Sequence, residues 1–110
     1  MDKRIRKVVY SDIYSLELEN IFKYGTEIFG LIAAQSFLED LFFKTENLKY
    51  NCELYPECRY LETKSRMYRN IILGSYLIIY RITKNRIEVL HVIHSAMSIR
   101  KIKLSRGTKV

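Results

Sequence analysis

Two histidines, His91 and His94, and three arginines, Arg69, Arg81 and Arg100, are the side chains best placed to do chemistry. An imidazole can take or give a proton near neutral pH. A guanidinium can hold a phosphate or steady charge that develops in a reaction. His91 and His94 stand three apart, so on one regular strand they point to opposite faces and do not share a metal. His94, at a strand end beside a basic segment, is either an acid–base group or a histidine hydrogen-bonded at a sheet edge. His91, between Leu90 and Val92, reads as a satisfied core or second-face residue. Arg81 either binds a phosphate or a partner, or pairs with Glu88 across a hairpin. Arg69 is the leading single candidate, against a surface arginine on an edge strand. Cys52 and Cys58 fit no zinc motif and are expected as free thiols in a reducing compartment. No metal or cofactor is expected.

These side chains need a scaffold, and residues 68–95 supply most of it. The stretch reads as three strands interrupted only at Gly74-Ser75 and at residues 83–86. The intervening runs are rich in Ile, Val and Tyr, which suit a pleated, half-buried surface. A three-stranded antiparallel meander follows, with both faces substantially apolar, so at least one must be covered. Tyr76 and Tyr80 alternate onto one face with Ile78, as core residues rather than stacking platforms for bases.

Upstream lies a helical half. Val8, Val9 and Tyr10 suggest a first strand, and Ser11 is a natural N-cap for a helix from Asp12. Tyr14, Leu18, Ile21, Phe22 and Gly25 recur at helical spacing, and Gly25 or Gly30 closes the helix. A second helix over residues 31–45 is expected to bury Ala34, Phe37, Leu38, Leu41 and Phe42. The two form a hairpin that covers the sheet. Residues 47–66 read as an irregular connection around Pro56, with a short strand at residues 59–62. The order gives an α+β fold in two layers: strand, helical hairpin, meander.

Length and charge bound the rest. One domain spans all 110 residues, 48% of them hydrophobic, with a basic C-terminal segment from about residue 98. No apolar run approaches the roughly 20 residues that cross a bilayer. The basic N-terminus lacks the apolar stretch of a signal peptide, so a cytoplasmic protein with no membrane partner is expected. The net charge of +7 is concentrated at the ends, +3 over residues 1–7 and +6 over residues 84–110. Such patches attract polyanions or acidic proteins, unless the tail is merely solvated.

The combination resembles the RelE/ParE superfamily of toxins from type II toxin–antitoxin (plasmid stabilisation) modules. The resemblance runs nearly end to end. It rests on Val8–Ser11, on Leu18, Ile21, Phe22 and Tyr24 closed by Phe29-Gly30, on Ala34, Phe37 and Leu41, and on Pro56. Its most specific block runs from Tyr68-Arg69 through Gly74-Ser75-Tyr76-Leu77-Ile78-Ile79-Tyr80-Arg81 to Val92-Ile93-His94-Ser95. ParE-like members are described as growth inhibitors that bind DNA gyrase without catalysis. RelE-like members cut mRNA on the ribosome without a metal, using several cations on the meander. Here two such positions are aliphatic, Ile71 and Leu77, which costs about a few kcal/mol of transition-state stabilisation each. The resemblance therefore implies the ParE-like branch. The alternative is a RelE-like endoribonuclease using Arg69, Arg81, His94 and Arg100. Met97-Ser98 stand where ParE-like chains often carry Arg-Asp.

The resemblance also implies a cognate antitoxin, acidic and partly disordered, that wraps the toxin. Arg69, Arg81, Arg100, Lys101 and Lys103 are the expected contacts. A homodimer or a toxin–antitoxin heterotetramer is compatible with the sequence.

Overall fold

A computed structural model describes residues 5–95 and 99–110. Lys3 and Arg4, and the Met97-Ser98 step, lie outside the described residues. The chain opens with β1 (Lys7–Tyr10), then two helices, α1 (Asp12–Phe29) and α2 (Leu31–Glu46), and a single turn, α3 (Leu48–Asn51). The meander follows as β2 (Tyr68–Leu73), β3 (Tyr76–Ile82) and β4 (Arg86–His94). A short helix, α4 (Ile99–Leu104), and a 3₁₀ turn over Ser105–Gly107 end the chain. The expected order of strand, hairpin and meander is present.

The four strands form one sheet in the order β1-β4-β3-β2. β1 runs parallel to β4, while β2–β3 and β3–β4 are antiparallel. The parallel pair needs a long crossover, and the helical hairpin supplies it while laying its apolar side on the sheet. Ser11 turns the chain from β1 into α1. Its hydroxyl accepts the Tyr14 N–H at 2.9 Å and donates to the Leu90 carbonyl at 2.6 Å. One side chain thus caps a helix and ties it to the central strand. Replacing Ser11 with Ala is expected to cost about 1–2 kcal/mol, read as a lower urea midpoint. The hairpin turns at Gly30, whose φ of 91° lies in the region that favours glycine. Gly30, not Gly25, closes α1.

The first face of the sheet packs on the hairpin. Ile78 and Tyr80 of β3 and Val89 and Val92 of β4 meet Tyr14, Leu41 and Leu48 there. Each such buried side chain contributes about 1.5–3 kcal/mol. Tyr80 is fully buried and donates its hydroxyl to the Cys52 carbonyl at 2.6 Å. The second face has its own cover. Cys58, Leu61 and Ile102 pack there on Tyr68, Ile79, Leu90 and Ile93. Simple alternation would not give β4 this pattern, because Val89 and Val92 share one face. Tyr80 pairs with Val89 while Ile79 pairs with His91, so Leu90 is an extra, bulged residue. The bulge shifts the alternation by one and turns Leu90 and Ile93 to the same side.

Several expectations change. Residues 59–62 form no strand: Tyr60 takes a positive φ of 68° and Leu61 N–H turns back to the Cys58 carbonyl. Strand-like pairing in this loop is instead a single bridge between Glu57 and Arg69. Phe42 is not part of the buried face of α2; it is 63% exposed, and Leu38 is half-buried. The basic C-terminal segment is no solvated tail, because Ile102, Ser105 and Thr108 are buried. Both cysteines are free and buried, and burial pushes the Cys58 thiol up to about 11. No helix among the described residues is long and apolar enough to cross a membrane.

Candidate functional site

Arg69, Arg81 and His94 fall into three separate places. Tyr68 pairs with Arg81 and Arg69 with Tyr80, so neighbouring positions on β2 and β3 send the two arginines to opposite faces. His94 pairs with Tyr76, five positions along β3 from Arg81. At the rise of an extended strand that is roughly 17 Å. Arg69, Arg81 and His94 do not converge on one reacting phosphate.

Arg81 anchors the C-terminal segment. Its Nε donates to Glu88 Oε1 at 2.6 Å, and Arg86 Nε donates to Glu88 Oε2, also at 2.6 Å. The remaining Arg81 donors reach the Tyr68 hydroxyl and the carbonyls of Arg106 and Thr108. Glu88 is buried on β4, and burial alone would raise its carboxyl. Hydrogen bonds from Arg81 and Arg86 outweigh that and hold it below the ordinary carboxylate range. Burial disfavours the Arg81 charge, but Tyr68 and Glu88 together push its pKa upward. Pairing with Glu88, one of the two sequence readings of Arg81, is what the geometry shows.

His91 completes the same anchor. Its Nδ1 lies 3.0 Å from Glu17 Oε2 and its Nε2 lies 3.0 Å from the Thr108 hydroxyl. Glu17 also accepts the Val92 backbone N–H at 3.0 Å. β1 stops at Tyr10, so β4 has an uncovered edge beyond Val89, and a carboxylate from α1 closes it. His91 therefore joins α1, β4 and the C-terminal segment. His94 is exposed at the end of β4, with its ring edge-on to Tyr76 at 5.6 Å.

Arg69 is half-buried, not a free surface arginine. It donates to the carbonyls of Arg66, Glu53 and Tyr55 at 2.8–3.0 Å and holds the 53–66 loop against β2. Arg100, Lys101 and Lys103 stand exposed on α4, while Ile102 of the same helix is buried. Docking α4 on the second face aligns these cations toward solvent. Ile71 is 1% exposed in the core under the hairpin, and Leu77 packs against the second-face cluster.

A surface of another kind lies on the hairpin. Phe22 of α1 and Leu38 and Phe42 of α2 line an open cleft of about 550 Å³ with Gln35 and Glu39. A second cleft of about 240 Å³ continues it past Leu18, Leu38 and Phe42. Tyr24, Ile28, Phe29, Leu31, Ile32 and Phe43 are exposed on the same two helices. Doublets such as Ile28-Phe29, Leu31-Ile32 and Phe42-Phe43 carry the signal for this surface. Two consecutive helical residues cannot both face one narrow stripe, so one of each pair must look elsewhere. Residues 12–46 also hold seven acids against two lysines, while residues 47–110 hold thirteen basic residues against four acids. The hairpin is acidic and apolar; the sheet and its C-terminal cover are basic.

The fold has relatives. The chain matches a family model described as the ParE toxin of the type II toxin–antitoxin system parDE, over residues 8–99. A solved structure titled the chromosomal ParDE toxin–antitoxin system from P. aeruginosa superposes with a TM-score of 0.68 at 14% identity. That match covers 83% of this chain and 97% of the other. Comparison with curated protein sequences gives no significant match. The family match takes in β1, the hairpin, the meander and the start of α4, and the chain belongs to the ParE toxin family of type II toxin–antitoxin systems.

Proposed function

We propose that this chain is a ParE-like toxin that slows growth in the cytoplasm by binding DNA gyrase, and that a cognate antitoxin neutralises it. The observation that carries this reading is the family match together with the fate of Ile71 and Leu77. Ile71 is buried, so a cation there would be forced out of water, while the partly buried Leu77 packs an apolar side chain on the second-face cluster. A ribonuclease that relies on a cation at the position of Ile71 would find no place for one in this sheet. The chain would then act by occupying a surface, without catalysis.

The antitoxin is a partly disordered chain with two kinds of contact. Apolar side chains fill the hairpin clefts around Phe22, Leu38 and Phe42. An acidic stretch lies along Arg100, Lys101 and Lys103, where opposite charge speeds encounter.

Purified, antitoxin-free protein tests the reading. Supercoiling by gyrase is expected to fall with cleaved DNA complexes trapped, while mRNA in a translating extract stays intact. Codon-phased mRNA cleavage would sink the binding-inhibitor reading in favour of the nuclease. Neutralising the α4 cations together (Arg100→Gln, Lys101→Gln and Lys103→Gln) is expected to weaken gyrase inhibition about tenfold at low salt, with the deficit shrinking as salt rises.

A further inference from the structure

At the end of the sheet where β1 begins and β3 ends, Arg6, Arg66 and Arg69 line one open cleft of about 520 Å³. The same cleft carries Ser65 and Thr83, and Ile82 and Met67 give it an apolar wall. It is separate from the hairpin clefts and from the exposed cations of α4.

The manner in which the arginines are held matters. Arg69 is gripped by three backbone carbonyls. Arg6 donates through Nε to the Lys84 carbonyl at 3.3 Å and through Nη1 to Cys52 Sγ at 3.7 Å. Carbonyls and a thiol orient a guanidinium but bring no negative charge to cancel it. Among the described residues neither Arg6 nor Arg69 pairs with a carboxylate. Arg66 has only a loose contact with Glu57 at 3.6 Å, and its side chain is 62% exposed. One acid, Glu53, lines the cleft. Pre-oriented, uncancelled guanidinium groups suit phosphate, since their charge is intact and the donors not already given to carbonyls or thiol, Nη2 on both Arg6 and Arg69, can reach its oxygens. Arg6 and Arg69 are two such groups, and with the exposed Arg66 three guanidinium groups line the cleft, more than one phosphate requires.

We infer that this cleft binds an oligophosphate, held by Arg6, Arg66 and Arg69. The same chemistry is offered by the phosphate chain of a free nucleotide and by the backbone of a nucleic acid. The inference does not depend on the gyrase or antitoxin reading.

Isothermal titration of the whole chain with inorganic triphosphate in about 0.1 M salt tests it, a strength at which weak surface attraction is largely screened. Saturable one-to-one binding is expected, weakened at least tenfold by Arg66→Gln and by Arg69→Gln. It should be unchanged by Arg59→Gln, which removes an exposed guanidinium outside the cleft. Arg69→Gln loosens the 53–66 loop, so the exposed Arg66 provides the variant free of folding effects. Parallel titrations with ATP and with a short single-stranded oligonucleotide, each competed by triphosphate, identify the source. Competition against ATP alone means a nucleotide, and competition against the oligonucleotide means a nucleic-acid backbone. Absence of triphosphate binding, or equal weakening by Arg59→Gln, would overturn the inference.

Discussion

Glu88→Gln is expected to lower the unfolding free energy by about 3–5 kcal/mol, because it leaves Arg81 and Arg86 facing a neutral amide at a buried site. The wild-type carboxylate is 7% exposed and accepts from both guanidinium groups at 2.6 Å. Arg81 also carries the Arg106 and Thr108 carbonyls, so the loss should spread to the C-terminal segment. Hydrogen exchange should show amides of residues 102–108 opening before those of β3. Equal protection of that segment in mutant and wild type would refute the anchor. The same group sets an acid limit. Its folded-state pKa lies below the ordinary value near 4.5, so its stabilisation is complete above that value. It drains away as the pH falls through the lowered folded-state value. Wild type should therefore lose stability on acidification over that window, while Glu88→Gln, already destabilised, should show a flatter profile there.

Phe42→Glu is expected to weaken binding of the cognate antitoxin by about 2–4 kcal/mol, or roughly 30- to 1,000-fold, and to leave folding stability almost unchanged. The two outcomes separate because the Phe42 ring is 63% exposed and lines both outer clefts of the hairpin. Its removal takes little from the core. A carboxylate there adds to an already acidic surface and must be desolvated by any apolar segment that docks. Calorimetric titration with the antitoxin gives the affinity and urea unfolding gives the stability. An unaltered affinity would place the antitoxin elsewhere. The run of exposed apolar residues toward Phe29 and Ile32 favours a helical segment lying along the hairpin.

Much of this architecture is legible in the residues. Ser11 before an apolar stripe marks the start of α1, and the Ile/Val/Tyr runs around Gly74 mark β2 and β3. Gly74 takes a φ of 59° in the tight turn the run requires. Tyr76, Ile78 and Tyr80 share a face as strict alternation demands. These features depend on local periodicity and backbone conformation, which neighbouring residues dictate. Phe42 shows where periodicity falls short. Its spacing from Leu38 and Leu41 admits it to the stripe, yet the stripe is narrower than the spacing suggests because α1 covers only part of α2.

The site is less legible, for a different reason. Arg69 and Arg81 read alike as basic residues on neighbouring strands, but one orients a loop and the other anchors the chain end. That difference arises from the sheet's two faces and from partners many positions away, among them Glu53, Tyr55, Arg106 and Thr108. Composition and spacing alone yielded the strand–hairpin–meander order, the helix cap at Ser11 and the apolar faces of the meander. All of these follow from short-range propensity and patterning. Tertiary structure decided that β1 lies parallel to β4, that Leu90 bulges, that Glu17 and His91 close the open edge, and that the basic C-terminal segment packs as a second cover. Each of these depends on meetings between distant residues, whose energies no local pattern records.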